Sequence, residues 1–192
     1  MRIILVVKEM VAYERIGLML LGAIMKKAGH EVRAITLSET TLDGVRETMQ
    51  QFSPQMVGYT AMTGEHASLL QLNSALKKDF NFYSVFGGPH AIFSPHVLEN
   101  EDDLDAICKG EGDIAFPEFI KRIEANEDYW NTPTFDVKHE GEIVENELGP
   151  LVEDLDDLPF PDRKLLYDSD PNMANLSGKA FFTARGCPYL CT

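Results

Sequence analysis

The chain has 192 residues, 44% hydrophobic and 25% charged, which suits one globular core with an appendage. No apolar run approaches the roughly 18 residues of a membrane span, and the run after Met1-Arg2 is too short for a signal peptide, so a cytoplasmic protein is expected. With 17 Lys and Arg against 31 Asp and Glu, the net charge of −14 repels phosphate backbones and anionic lipid, which argues against nucleic acid as a partner.

Residues 2–7 are continuously apolar, the pattern of a strand buried on both faces of a parallel sheet. A polar loop over 8–15 leads into a helix whose broad apolar face runs from Ile16 to Met25. Lys26 and Lys27 suit its C-terminal dipole, and Gly29 stops it. Strands are expected over 30–37, 54–60, 82–86 and 104–108. Helices are expected over 41–51, opened by a Thr or Asp cap, and over 65–78, 96–100 and 114–125. Short strands alternating with helices demand right-handed crossovers. The expected fold is therefore α/β and doubly wound, with a five-stranded parallel sheet in flavodoxin-like strand order over residues 1–127.

Residues 128–178 change character. A hairpin signal, 134–137 and 142–144 around Glu140-Gly141, precedes an acidic, proline-broken linker and an irregular stretch over 163–178. A short strand at 180–183 opens the last segment, 179–192, which breaks at Arg185-Gly186 into a loop carrying Cys187 and Cys191. Soft thiolates converging from one short loop are what an iron–sulfur cluster needs, but two ligands cannot hold one alone. The alternative is a pair of surface cysteines at a ragged terminus. Cys108, in a strand-like setting, reads as a buried, inert thiol, and three cysteines make no disulfide framework.

Ligands of open α/β sheets sit beyond the carboxyl ends of the strands. Gly87-Gly88 and Gly110-x-Gly112 fall there, where a missing Cβ lets backbone approach a large ligand, and Thr60, Thr63 and Gly64 offer hydroxyl and amide groups. Plain turn chemistry is the other reading of each glycine pair. A branched side chain at position 88 is accordingly expected to abolish binding with the fold intact. Neither a Gly-x-Gly-x-x-Gly nor a Walker loop occurs, so no motif supports nucleotide binding.

Five features together resemble the cobalamin-binding class of radical S-adenosylmethionine enzymes. They are Glu14-x-x-Gly17-Leu18, Gly87-Gly88-Pro89-His90, Gly110-Glu111-Gly112-Asp113, Leu158-Pro159-Phe160-Pro161 and Arg185-Gly186-Cys187-Pro188-Tyr189-Leu190-Cys191. The resemblance implies cobalamin at the sheet's carboxyl edge, with its nucleotide tail between the loops after the third and fourth strands. Glu14, Thr60, Thr63, Gly64, Gly87, Gly88, Pro89, His90, Gly110, Glu111 and Gly112 would contact it. It further implies that Cys187 and Cys191 ligate a 4Fe-4S cluster that binds S-adenosylmethionine, completed by a third cysteine beyond Thr192. The chain would then be the N-terminal piece of a methyltransferase or cyclase whose barrel follows. Residues 8–17 contain no histidine, whereas members that ligate cobalt carry one there. His90, on another loop, reads as a helix cap or a solvent-facing residue. The rival reading is a stand-alone binding or receiver-like module; a receiver needs an acidic phosphoacceptor after the third strand, where Tyr59-Thr60-Ala61 stands.

Overall fold

A computed structural model describes residues 1–8 and 14–186. Strands β1 (Arg2–Val7), β2 (Glu31–Thr36), β3 (Met56–Thr60), β4 (Tyr83–Gly87) and β5 (Ala106–Cys108) run parallel, in the flavodoxin-like order β2-β1-β3-β4-β5. The expected five-stranded sheet with a separate hairpin needs correction. The hairpin strands β6 (Phe135–His139) and β7 (Glu142–Val144) pair antiparallel onto β5 and complete one mixed, seven-stranded sheet. The physical reason lies in β6: Phe135 and Val137 are fully buried in the core, so the strand cannot leave the sheet without exposing them.

Alternate residues of β1 feed two cores, as a two-residue side-chain period requires. Ile3, Leu5 and Val7 face α1 (Ile16–Lys27) and α6 (Gly112–Ala125). Ile4 and Val6 face α2 (Leu42–Phe52) and α3 (His66–Lys77). The Gly29 stop is a Schellman ending: Gly29 takes φ +91°, with His30 N–H donating to Met25 O and Gly29 N–H to Lys26 O. Thr41 caps α2 by accepting from Gly44 N–H at 3.2 Å.

Three expectations fail locally. Pro89 opens a five-residue helix, α4 (Pro89–Phe93), directly after Gly88, before α5 (Val97–Asn100). Residues 163–178 are not irregular, since they form α7 (Arg163–Tyr167) and α8 (Pro171–Ala174), each capped by its preceding aspartate. Leu165, Leu166 and Met173 from these turns are buried in the core, with α7 packed on α1 and β2 and α8 on α7, which explains their order despite short length. Residues 180–183 form no strand. Ala180 instead spends its backbone N–H on the Glu14 carboxylate, at 2.8 Å.

Candidate functional site

A cavity of about 380 Å³ opens at the carboxyl edge of β1, β3, β4 and β5, between the sheet and helices α1 and α6. Strand register sets its depth. Leu5, Gly58 and Val85 stand side by side in one row, and Thr60 and Gly87 stand in the row two residues nearer the edge. The two rows are about 7 Å apart. Gly58 makes the floor: its two neighbours in that row, Leu5 and Val85, carry branched apolar side chains, and a Cβ at 58 would stand 3.0 Å from Leu5 Cδ2. Leu18 and Leu21 from α1 and Phe116 from α6 close the sides.

Polar groups concentrate at the mouth. Thr60, Glu14 and Arg15 line it with Gly88 and Pro89. Arg15 reaches Glu65, so both charges are paired at the rim. On the cavity wall beside Gly87 the Cys108 thiol donates to Gly110 O, and burial pushes its pKa up to about 12. Tyr59 turns its ring to the other face of the sheet, stacked with Phe86, so only its backbone borders the cavity.

Gly88 owes its identity to the neighbouring chain. It has φ +86°, and a Cβ there would lie 2.6 Å from Thr60 Oγ1 and 3.0 Å from both Ala61 N and Ala61 O. The two loops are stitched at this point by Ala61 N–H to Gly87 O (3.2 Å) and His90 N–H to Ala61 O (3.0 Å). A branched residue at 88 therefore breaks the fold before it reaches a ligand, which overturns the expectation that binding alone would be lost. Gly87 is roomier, its nearest foreign atoms being 3.8 Å from a built Cβ.

Of the residues singled out from the sequence, Glu14, Thr60, Gly87, Gly88, Pro89, Gly110 and Gly112 meet around this cavity. Thr63, Gly64, His90 and Glu111 do not line it. Thr63 and Gly64 lie on the adjoining rim, where Thr63 Oγ1 is 3.3 Å from His90 Nδ1 and Gly64 N–H donates to His66 Nδ1 at 3.3 Å. His90 is neither a helix cap nor solvent-facing: it is buried, and its ring stacks on His66 with centroids 3.8 Å apart. Burial, then the neighbouring His66 and His96, lowers its pKa below the ordinary histidine value. Glu111 and Asp113 grip Arg185, both at 2.6 Å from Nη1.

Glu14 lines the mouth, yet its carboxylate is fully engaged. Arg163 and Tyr167 of α7 donate to it in short contacts, and Ala180 N–H joins them. Burial alone would raise its pKa, but these donors outweigh burial and hold it at about 2. The charged form therefore ties residues 163–180 to the cavity entrance. Among the described residues no group of three or more His, Cys, Asp or Glu side chains is placed to hold a metal ion. Cys187 and Cys191 lie outside the described residues. Nor does any helix among them have the length and apolarity to cross a membrane.

Sequence reasoning passed over Gly58. A lone glycine inside a strand of otherwise buried residues was the available signal, since such glycines mark close approach of another group.

Residues 3–120 match the sequence profile of the B12 binding domain. An uncharacterized methyltransferase of Pyrococcus horikoshii is 26% identical over 180 residues, covering 92% of this chain and 39% of the relative. The anaerobic magnesium-protoporphyrin IX monomethyl ester cyclase of Synechocystis is 24% identical over 191 residues, covering 92% and 36%. The chain thus spans about two-fifths or less of these relatives' length. Among solved structures, the cobalamin-dependent S-adenosylmethionine radical enzyme OxsB, with aqua-cobalamin and S-adenosylmethionine bound, superposes with a TM-score of 0.74 at 17% identity, covering 88% of this chain and 25% of that one. At that identity the likeness speaks for the fold.

Proposed function

This chain belongs to the B12 binding domain family, and from that premise we propose that it binds cobalamin at the carboxyl edge of its sheet, with the nucleotide tail in the cavity floored by Gly58. The cavity itself carries this reading. Its roughly 380 Å³ is too small for a corrin ring with its amide side chains but suits a base and ribose, and its apolar walls suit an apolar base. Gly58, Gly87, Gly110 and Gly112 keep the slot open, while Thr60 supplies a hydroxyl at the mouth.

The corrin ring rests on the loops that carry Thr63, Gly64, Pro89 and His90. There Met62, Ile92 and Phe93 are exposed large hydrophobics, Phe93 at 81%. Such side chains on the rim of a cavity mark a surface meant to be covered. Glu111 acts at one remove by holding Arg185, and Glu14 by holding α7 and Ala180. Bound cobalamin supplies a cobalt centre that carries a methyl group or tunes a radical reaction.

The division into a cobalamin domain (1–127), a hairpin and linker (128–178) and the opening of a radical S-adenosylmethionine domain (179–192) is part of the proposal. In a longer, cytoplasmic protein, Cys187 and Cys191 with a third thiolate hold a 4Fe-4S cluster for S-adenosylmethionine, and the enzyme is a methyltransferase or a cyclase. Gel filtration of the chain with hydroxocobalamin tests the binding step. A coloured protein peak is expected; a colourless one at high micromolar ligand opposes it.

A further inference from the structure

We infer that the cavity selects among cobamides by the polarity of the lower base, accepting apolar bases such as dimethylbenzimidazole and discriminating against adenine. The inference rests on the cobalamin reading above and adds a ligand specificity to it. Cobamides share the corrin ring and the phosphoribosyl link and differ in the base at the end of the tail, so the base is what reaches the cavity floor. Among the described residues that floor offers no hydrogen-bonding side chain. Leu5, Gly58 and Val85 form it, with Leu21 and Phe116 at the sides. The Cys108 thiol, the polar side chain nearest to it among the described residues, is committed to Gly110 O and, with its pKa up at about 12, stays neutral.

The backbone is committed too. The strand residues of the floor lie inside paired rows of the parallel sheet, β1 with β3 and β3 with β4, so their N–H and C=O groups serve the ladder. Thr60, Glu14 and Arg15 stand at the mouth, about two strand residues nearer the edge. Dimethylbenzimidazole presents methyl groups and a fused ring to this floor. Adenine presents an amino group and ring nitrogens, and each that loses water without gaining a partner weakens binding by about tenfold or more.

Equilibrium binding of three cobamides to the chain, followed through quenching of Trp130, the sole tryptophan, separates the contributions. The bases are dimethylbenzimidazole, adenine and p-cresol, the last apolar and unable to coordinate cobalt. Polarity selection predicts that the cresolyl and benzimidazolyl forms bind at least about tenfold tighter than the adeninyl form. Release of the base from cobalt, if that alone governed affinity, would favour adeninyl over benzimidazolyl, because adenine coordinates more weakly. Adeninyl binding equal to or tighter than benzimidazolyl binding therefore overturns the inference while leaving cobalamin binding intact. Failure of all three to bind at high micromolar concentration overturns the cobalamin reading and this inference with it.

Discussion

Gly88 and Thr60 face each other across the β3 and β4 loop junction so closely that a Cβ on Gly88 would stand 2.6 Å from Thr60 Oγ1. The contact fixes the spacing of the two loops that form the cavity mouth. Adjacent Gly87, with no foreign atom nearer than 3.8 Å to its built Cβ, faces no such demand. Gly88→Ala is expected to destabilise the fold by about 2 kcal/mol or more, because strain at positive φ adds to the clash. Gly87→Ala should stay within about 1 kcal/mol of wild type. Paired urea denaturation curves check this, and equal losses for the two variants would refute the spacing role.

Glu14 makes acid stability measurable. Its folded pKa of about 2 lies below the ordinary glutamate value of 4.5, so the ionised form stabilises the fold above that value, and the contribution is lost as pH falls from about 4.5 to about 2. The linked free energy is on the order of 3 kcal/mol. Glu14→Gln should lose most of it at pH 7 and flatten the dependence of stability on pH across that window. An unchanged acid limb in the variant would show that α7 and Ala180 are held by other means.

Cys108 should resist alkylation in the folded chain. Cys108 is buried with its thiol pushed up to about 12, so almost no thiolate exists near neutral pH. Iodoacetamide at pH 8 should leave the Cys108 peptide unmodified in the folded chain and alkylate it after denaturation. Native modification of Cys108 at the rate of a free thiol would contradict its burial in the cavity lining.

Cobalt's lower face should carry no protein nitrogen. Residues 8–17 lack histidine, and His90 is buried with its ring stacked on His66 and its Nδ1 beside Thr63, so its imidazole is engaged within its own loops. Electron paramagnetic resonance of cobalamin bound as cobalt(II) should show lines without nitrogen triplets. Triplets that vanish in His90→Ala would instead assign the ligand to His90.

Much of the framework was legible because local rules and tertiary packing agree. The apolar run Ile3–Val7 reads as a doubly buried strand and is one, and Gly29 ends α1 where the apolar stripe stops. Legibility failed where a residue's role depends on a distant partner. Nothing near Glu14 in the chain points to Arg163, Tyr167 and Ala180, about 150 residues on, so the tethering role of its carboxylate could not be read from the sequence. Helices α7 and α8, at five and four residues, are too short to show a helical period and exist because Leu165, Leu166 and Met173 are buried in the core, α7 against α1 and β2 and α8 against α7. The hairpin was visible as a hairpin, but the alternating apolar Phe135 and Val137 that bury it in the core do not by themselves name β5 as the strand it pairs with.

The floor of the cavity offers the most direct test of the account. Gly58→Val places methyl groups where the nucleotide tail is proposed to end, while the atom nearest the added Cβ is the flexible tip of Leu5, at 3.0 Å. Hydroxocobalamin affinity should fall at least about a hundredfold in Gly58→Val, since overpacking a filled slot costs about 3 kcal/mol. Its circular dichroism and melting should remain close to wild type. Cobinamide, which has the corrin ring but no nucleotide, should bind wild type and variant alike. Equal hydroxocobalamin affinity for the folded variant and wild type would contradict the account, because the tail would then lie elsewhere.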